Sequence, residues 1–100
     1  MASNGPIRRT VTVRNPMGLH MRPATLFAQA ARGFQSCITV RYGEKTADGK
    51  SSLDLILLVA LEGAELILEI DGEDASLAVE PLANILGSTG DDTERGRNAC

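Results

Sequence analysis

Hydrophobic and polar positions change rhythm several times along this 100-residue chain. Residues 7–13, Ile-Arg-Arg-Thr-Val-Thr-Val, alternate well enough for a strand. Asn15, Pro16 and Gly18 break that run and predict a loop. Residues 21–32 are rich in Ala, Leu and Gln and predict a helix. Phe27, Ala30, Ala31 and Phe34 fall on one of its faces, and Gly33 suits its C-terminal stop. Residues 36–42 return to strand, and Gly43-Glu44 turns the chain into a short strand at 45–48, making a hairpin. Residues 64–71, with Leu66, Ile67, Leu68 and Ile70, predict a fourth strand. Residues 74–86 predict a last helix with Ala78, Leu82 and Ile85 as its inward stripe. Pro81 removes an interior hydrogen bond there and should kink or strain that helix.

The ambiguous segment is 53–61, where Leu55 to Leu61 form an unbroken apolar run. A buried strand fits such a run, but Ser51 is a good N-cap and Asp54 three residues later mimics a capping box. A short helix is therefore expected. It would carry two apolar stripes, Leu55 with Leu58 and Val59, and Leu53 with Ile56 and Leu57. Only one stripe can face a sheet fully, so the other should be partly exposed, and an exposed stripe usually means a partner surface. The resulting order, βαββαβα, predicts an α+β sandwich with helices on one face of a sheet. A single domain is expected over 1–86, with a disordered polar tail over 87–100.

Composition narrows the function classes. Apolar residues make up 43% of the chain but only three are aromatic, Phe27, Phe34 and Tyr42, so the core must be aliphatic. A net charge of −3 and an isoelectric point near 5.0 argue against a non-specific nucleic-acid binder. There is no apolar run of membrane-spanning length, and the first residues lack the layout of a secretion signal. A cytoplasmic location is the expectation, with Cys37 and Cys100 as free thiols. No metal site is expected at His20, which has no His, Cys or acidic cluster beside it.

His20, the only histidine, stands where the first helix begins. Helix starts present unpaired N–H groups and the positive end of the macrodipole, which favour phosphate. An imidazole held there is a nucleophile against an anion site. A histidine at a helix start is more often a cap or a surface residue, but Arg22 follows two residues on, and a guanidinium gives charge-assisted hydrogen bonds to phosphate oxygens. A basic residue in the first turn opposes the macrodipole, a small conflict that points to a job. Pro23 is comfortable at such a position.

The run Gly18-Leu19-His20-Met21-Arg22-Pro23-Ala24 resembles the active-site signature of the HPr family, the histidine-containing phosphocarriers of the bacterial sugar phosphotransferase system. The resemblance extends over about residues 7–86 and takes in Gly49-Lys50-Ser51-Ser52-Leu53 and Glu62-Gly63-Ala64-Glu65. It implies an open-faced sandwich of a four-stranded antiparallel sheet with three helices on one side. It implies that His20 takes a phosphoryl group on Nδ1 from Enzyme I, itself charged by phosphoenolpyruvate, and gives it to a histidine of an Enzyme IIA domain. Arg22 and the amides around His20 would hold the phosphate. Ser51 matches a serine that a dedicated kinase phosphorylates in some bacteria, so a serine kinase or phosphorylase joins the expected partners. Met17, Met21, Leu53 and Ile56 are the expected partner surface. The implied protein is a monomeric carrier without a cofactor, and not a turnover enzyme.

Two features depart from the family pattern. Met17 replaces a small polar residue often found three before the histidine, and the second helix is Leu-rich and carries Asp54. The rival reading is a regulatory module of the same fold, in a nitrogen-type phosphotransferase chain or in catabolite control through Ser51. A hydrolase using His20 as base lacks a nucleophile beside it.

Overall fold

The computed structural model of the chain describes residues 5–89. Seven elements follow in the order β1 (Ile7–Thr12), α1 (Met21–Arg32), β2 (Cys37–Tyr42), β3 (Lys45–Asp48), α2 (Ser52–Leu57), β4 (Glu65–Asp71) and α3 (Ala75–Leu86). The strands form one antiparallel sheet ordered β1-β4-β2-β3. This is the expected α+β open-faced sandwich.

Alternation decides which face of the sheet is covered. Ile38 pairs with Ile70, Val40 with Leu68 and with Ala47, and Val11 with Leu66, and all of these side chains are buried. Residues one step along each strand point the other way. Arg8 donates to Glu69 across the β1–β4 pair, and Arg41 approaches the same carboxylate from β2. The sheet is thus buried on one side and polar on the other, as antiparallel sheets commonly are. The helices supply the opposing layer: Ala24, Phe27, Ala28 and Ala31 from α1, Leu55 from α2, and Ala75, Ala78, Val79, Leu82, Ala83 and Leu86 from α3. Phe27 is the only aromatic side chain fully enclosed, in an otherwise aliphatic core. Ala30, Phe34 and Ile85, expected on inward faces, pack against this core while partly exposed.

Asp74, just before α3, ties the helix layer to the start of β2. Its carboxylate accepts from the backbone N–H of Gln35 and Ser36 and from the Ser36 hydroxyl. These bonds, the Ser36 hydroxyl foremost, hold its carboxyl below the ordinary range. α3 runs on through Pro81, which lies on its exposed face, and Leu77, whose carbonyl loses its donor, is exposed too. Water can serve that carbonyl, so the proline is tolerated at that position. Cys37 is an exposed free thiol. Cys100 and residues 90–100 of the expected tail lie outside the described residues, while Gly87 caps α3.

The apolar segment after Ser51 corrects one expectation. α2 is six residues long, and only Leu55 and Leu58 of the first stripe are buried. Val59 leaves the helix with φ +54 and is 61% exposed. It does not face the sheet because the helix ends before its turn of the stripe comes round. The capping box is also half made. Ser51 Oγ accepts from Asp54 N–H at 3.2 Å, but the Asp54 carboxylate does not reach back to Ser51 N–H. That N–H bonds to the Asp48 carbonyl, and Asp54 takes the Asp48 N–H instead.

Candidate functional site

A tight turn carries the chain from β1 into α1. Asn15 opens it: its carbonyl accepts from Gly18 N–H at 2.8 Å, and its side-chain Oδ1 accepts from Met17 N–H at 3.0 Å. Asn followed by Pro suits such a turn, because the short amide side chain can bond the backbone two residues on. Gly18 has φ +75, and a Cβ there would lie 2.6 Å from Ala60 O and 3.1 Å from Leu61 Cα. Glycine is required twice over, by conformation and by space. The contact is a seam: Leu19 N–H donates to Ala60 O at 2.8 Å. Ala60 can face this way because Val59 takes the left-handed conformation, a strained choice for a β-branched residue.

His20 is the N-cap of α1, in extended conformation, and its side chain makes no capping hydrogen bond. The ring is half-buried. Nε2 lies 3.4 Å from Asn15 Nδ2, and Nδ1 has no partner among the described residues. The first-turn N–H groups of Met21 and Arg22 receive no carbonyl from the helix itself, and no acidic residue stands in that turn. The imidazole therefore stands beside donors and a dipole end that favour negative charge. Arg22 is exposed and makes no ion pair or hydrogen bond among the described residues, so its guanidinium is uncommitted.

Exposed apolar side chains stand on α1, on α2 and on the segments that flank them. Met17 and Met21 are exposed, as are Leu53 and Leu57 on α2 and Leu61 after it, while Ile56 is half-buried and packs on the core. The expected surface residues Met17, Met21 and Leu53 are thus available, and Ile56 only in part.

Ser51 sits apart from His20. The C-terminal side of α2 meets the start of α1 through Gly18, Leu19 and Ala60. The start of α2 meets the end of α1, where Arg32 donates to Lys50 O at 3.0 Å and Lys50 Nζ to Phe34 O at 2.8 Å. The two helices therefore run antiparallel, and the twelve residues of α1, about 18 Å of helix, separate the two positions. The described residues contain no group of His, Cys, Asp and Glu that could hold a metal, and no helix long and apolar enough to cross a membrane.

Residues 7–88 match the family model described as the PTS HPr component phosphorylation site. The chain belongs to the HPr family. The HPr of Lysinibacillus sphaericus is 40% identical over 79 residues, covering 79% of this chain and 90% of that protein. The HPr of Haemophilus influenzae is 44% identical over 69 residues, covering 69% and 81%. The crystal structure of an HPr from Bacillus anthracis superposes with a TM-score of 0.77 at 32% identity, covering 83% of this chain and 99% of that one. As HPr-family members are phosphocarriers of the phosphotransferase system, the imidazole and the uncommitted guanidinium gain a chemical context. Sequence reasoning had missed Asn15 as a neighbour of His20. The Asn-Pro pair signalled a turn, but nothing local says which way the amide faces.

Proposed function

We propose that this protein is a phosphoryl relay in which His20 is the carrier atom's host. Nδ1 takes the group from Enzyme I, charged by phosphoenolpyruvate, and passes it to a histidine of an Enzyme IIA domain. The supporting observation is the half-buried ring at the N-cap of α1, unused as a cap, beside a free Arg22. In the uptake step the Nδ1 lone pair attacks phosphorus as the bond to the donor breaks, and that bond's electron pair returns to the donor. Such transfer depends on in-line access and charge neutralisation. The first-turn N–H groups and Arg22 would neutralise the phosphate oxygens. Exposed Met17, Met21, Leu53 and Leu57 would seat the partner. The protein is a carrier and not a turnover catalyst, because the group must leave on a second protein. Incubation with phosphoenolpyruvate and Enzyme I, read by intact-mass spectrometry, should add one acid-labile, base-stable phosphoryl group. An unmodified mass would refute this reading.

Arg22→Ala should slow transfer without unfolding the domain, since the side chain is exposed and has no partner among the described residues. A lost charge-assisted contact to phosphate costs about 1.5–3 kcal/mol, or roughly tenfold to a hundredfold in rate if it is made only in transfer. Rapid-quench measurement of uptake from Enzyme I decides it, and an unchanged rate makes Arg22 an ordinary surface residue.

Ser51 is proposed as a regulatory phosphorylation site on the same partner face. Ser51→Asp keeps an N-cap acceptor but adds charge, so it should slow uptake in a salt-dependent way. Ser51→Ala should leave uptake nearly normal and cost about 1 kcal/mol of stability through the lost cap. Equal uptake by both variants at one salt concentration would leave Ser51 as a helix cap alone.

A further inference from the structure

We propose that Asn15 is a positioning residue that governs the protonation of His20 Nε2 and so lengthens the life of the phosphoryl group. The inference rests on the reading that His20 carries that group. Asn15 is 9% exposed, and its side-chain amide is not free to choose its orientation. Oδ1 is committed to Met17 N–H at 3.0 Å, which leaves Nδ2 facing His20 Nε2 at 3.4 Å. An amide NH2 only donates, so it favours an Nε2 that holds a lone pair and disfavours one that carries a proton. Turning the amide to offer its oxygen would break the bond to Met17 and open the turn that presents the ring.

The consequence follows from the bonding in the phosphorylated ring. With phosphorus on Nδ1, Nε2 is the only basic atom left. When the N–P bond breaks, its electron pair returns to Nδ1, and phosphorus goes to the acceptor, water in hydrolysis or a partner's nitrogen in transfer. Departure is easier from a ring already protonated at Nε2, because the returning pair then neutralises a cation. By favouring the unprotonated Nε2, Asn15 slows loss to water. The same contact opposes uptake slightly, since Nδ1 can attack only when the neutral ring carries its proton on Nε2. The long 3.4 Å separation suits this compromise, a bias that a docked partner can override.

Asn15→Asp separates this role from the turn. Aspartate offers the same acceptor to Met17 N–H, but its second oxygen faces Nε2 as an acceptor and favours the protonated form. The chain is charged by Enzyme I and phosphoenolpyruvate, freed of Enzyme I, and followed by intact mass at one fixed, mildly alkaline pH. The phosphorylated aspartate variant should lose its group on the order of tenfold faster than the original chain, the effect of exchanging a donor for an acceptor at one nitrogen. An equal half-life would overturn the proposal and leave Asn15 as a turn residue. A wild-type chain that never acquires phosphate at His20 would instead overturn the carrier reading. Should the variant not fold, nitrogen-15 spectra of the unphosphorylated wild-type ring still decide the matter. They should show the neutral form with its proton on Nδ1, and a proton on Nε2 would refute the proposed contact.

Discussion

Replacing His20 by alanine should remove all labelling by Enzyme I and leave the domain folded. The chain has one histidine, so no other imidazole can take over. The loss is chemical and total, whereas the structural cost is small. The ring caps nothing, and its one hydrogen bond among the described residues is long, so stability should change by no more than about 1 kcal/mol. Intact mass after incubation with phosphoenolpyruvate and Enzyme I measures the first effect, and thermal unfolding the second. Labelling that survives the substitution places the phosphoryl group on another residue and ends the assignment of His20.

Gly18→Ala should be the most damaging small change near the site. The left-handed conformation costs a non-glycine residue about 1–3 kcal/mol, and forcing a methyl group against backbone adds roughly as much again. The new carbon would meet Ala60 O at 2.6 Å, with no flexible side chain to give way. Gly43, in the β2–β3 turn, provides the comparison. Its φ is +62, but a Cβ there meets nothing within 4 Å, so Gly43→Ala carries the conformational cost alone. The thermal midpoint of Gly18→Ala should fall by about 10 °C or more, well beyond that of Gly43→Ala. Similar midpoints for the two would mean that the Gly18–Ala60 seam is looser than its distances imply.

Much of this was legible in the chain itself, because strong periodicity reports burial directly. α1 has the expected bounds, and the β2–β3 hairpin follows from Gly43-Glu44 between two alternating runs. The apolar run after Ser51 misleads because hydrophobicity reports an affinity for burial and not the place where a helix stops. Leu57, Val59 and Leu61 are as apolar as Leu55 and Leu58 but lie outside. The capping box failed on length: an aspartate side chain is one methylene short of the glutamate that usually completes it. The heptamer around His20 pointed to the start of α1 as the candidate site. Its supports, the Ala60 carbonyl and the Asn15 amide, depend on contacts between distant segments and on the facing of one side chain, and neither leaves a periodic trace.

The pairing of β1 with β4 has a consequence for how the protein comes into being. Arg8 and Glu69, neighbours across that ladder, are 61 residues apart in sequence, and among the strand pairs only β2–β3 closes locally. Pairings between distant segments form late, since the loop between them must be closed before any contact rewards it. A chain emerging from the ribosome holds β1 and α1 long before β4 exists to receive them. The turn that presents His20 waits as well, because Leu19 needs the carbonyl of Ala60. On the carrier reading, a nascent chain that stops before Ala60 lacks the carbonyl that holds the His20 turn in place.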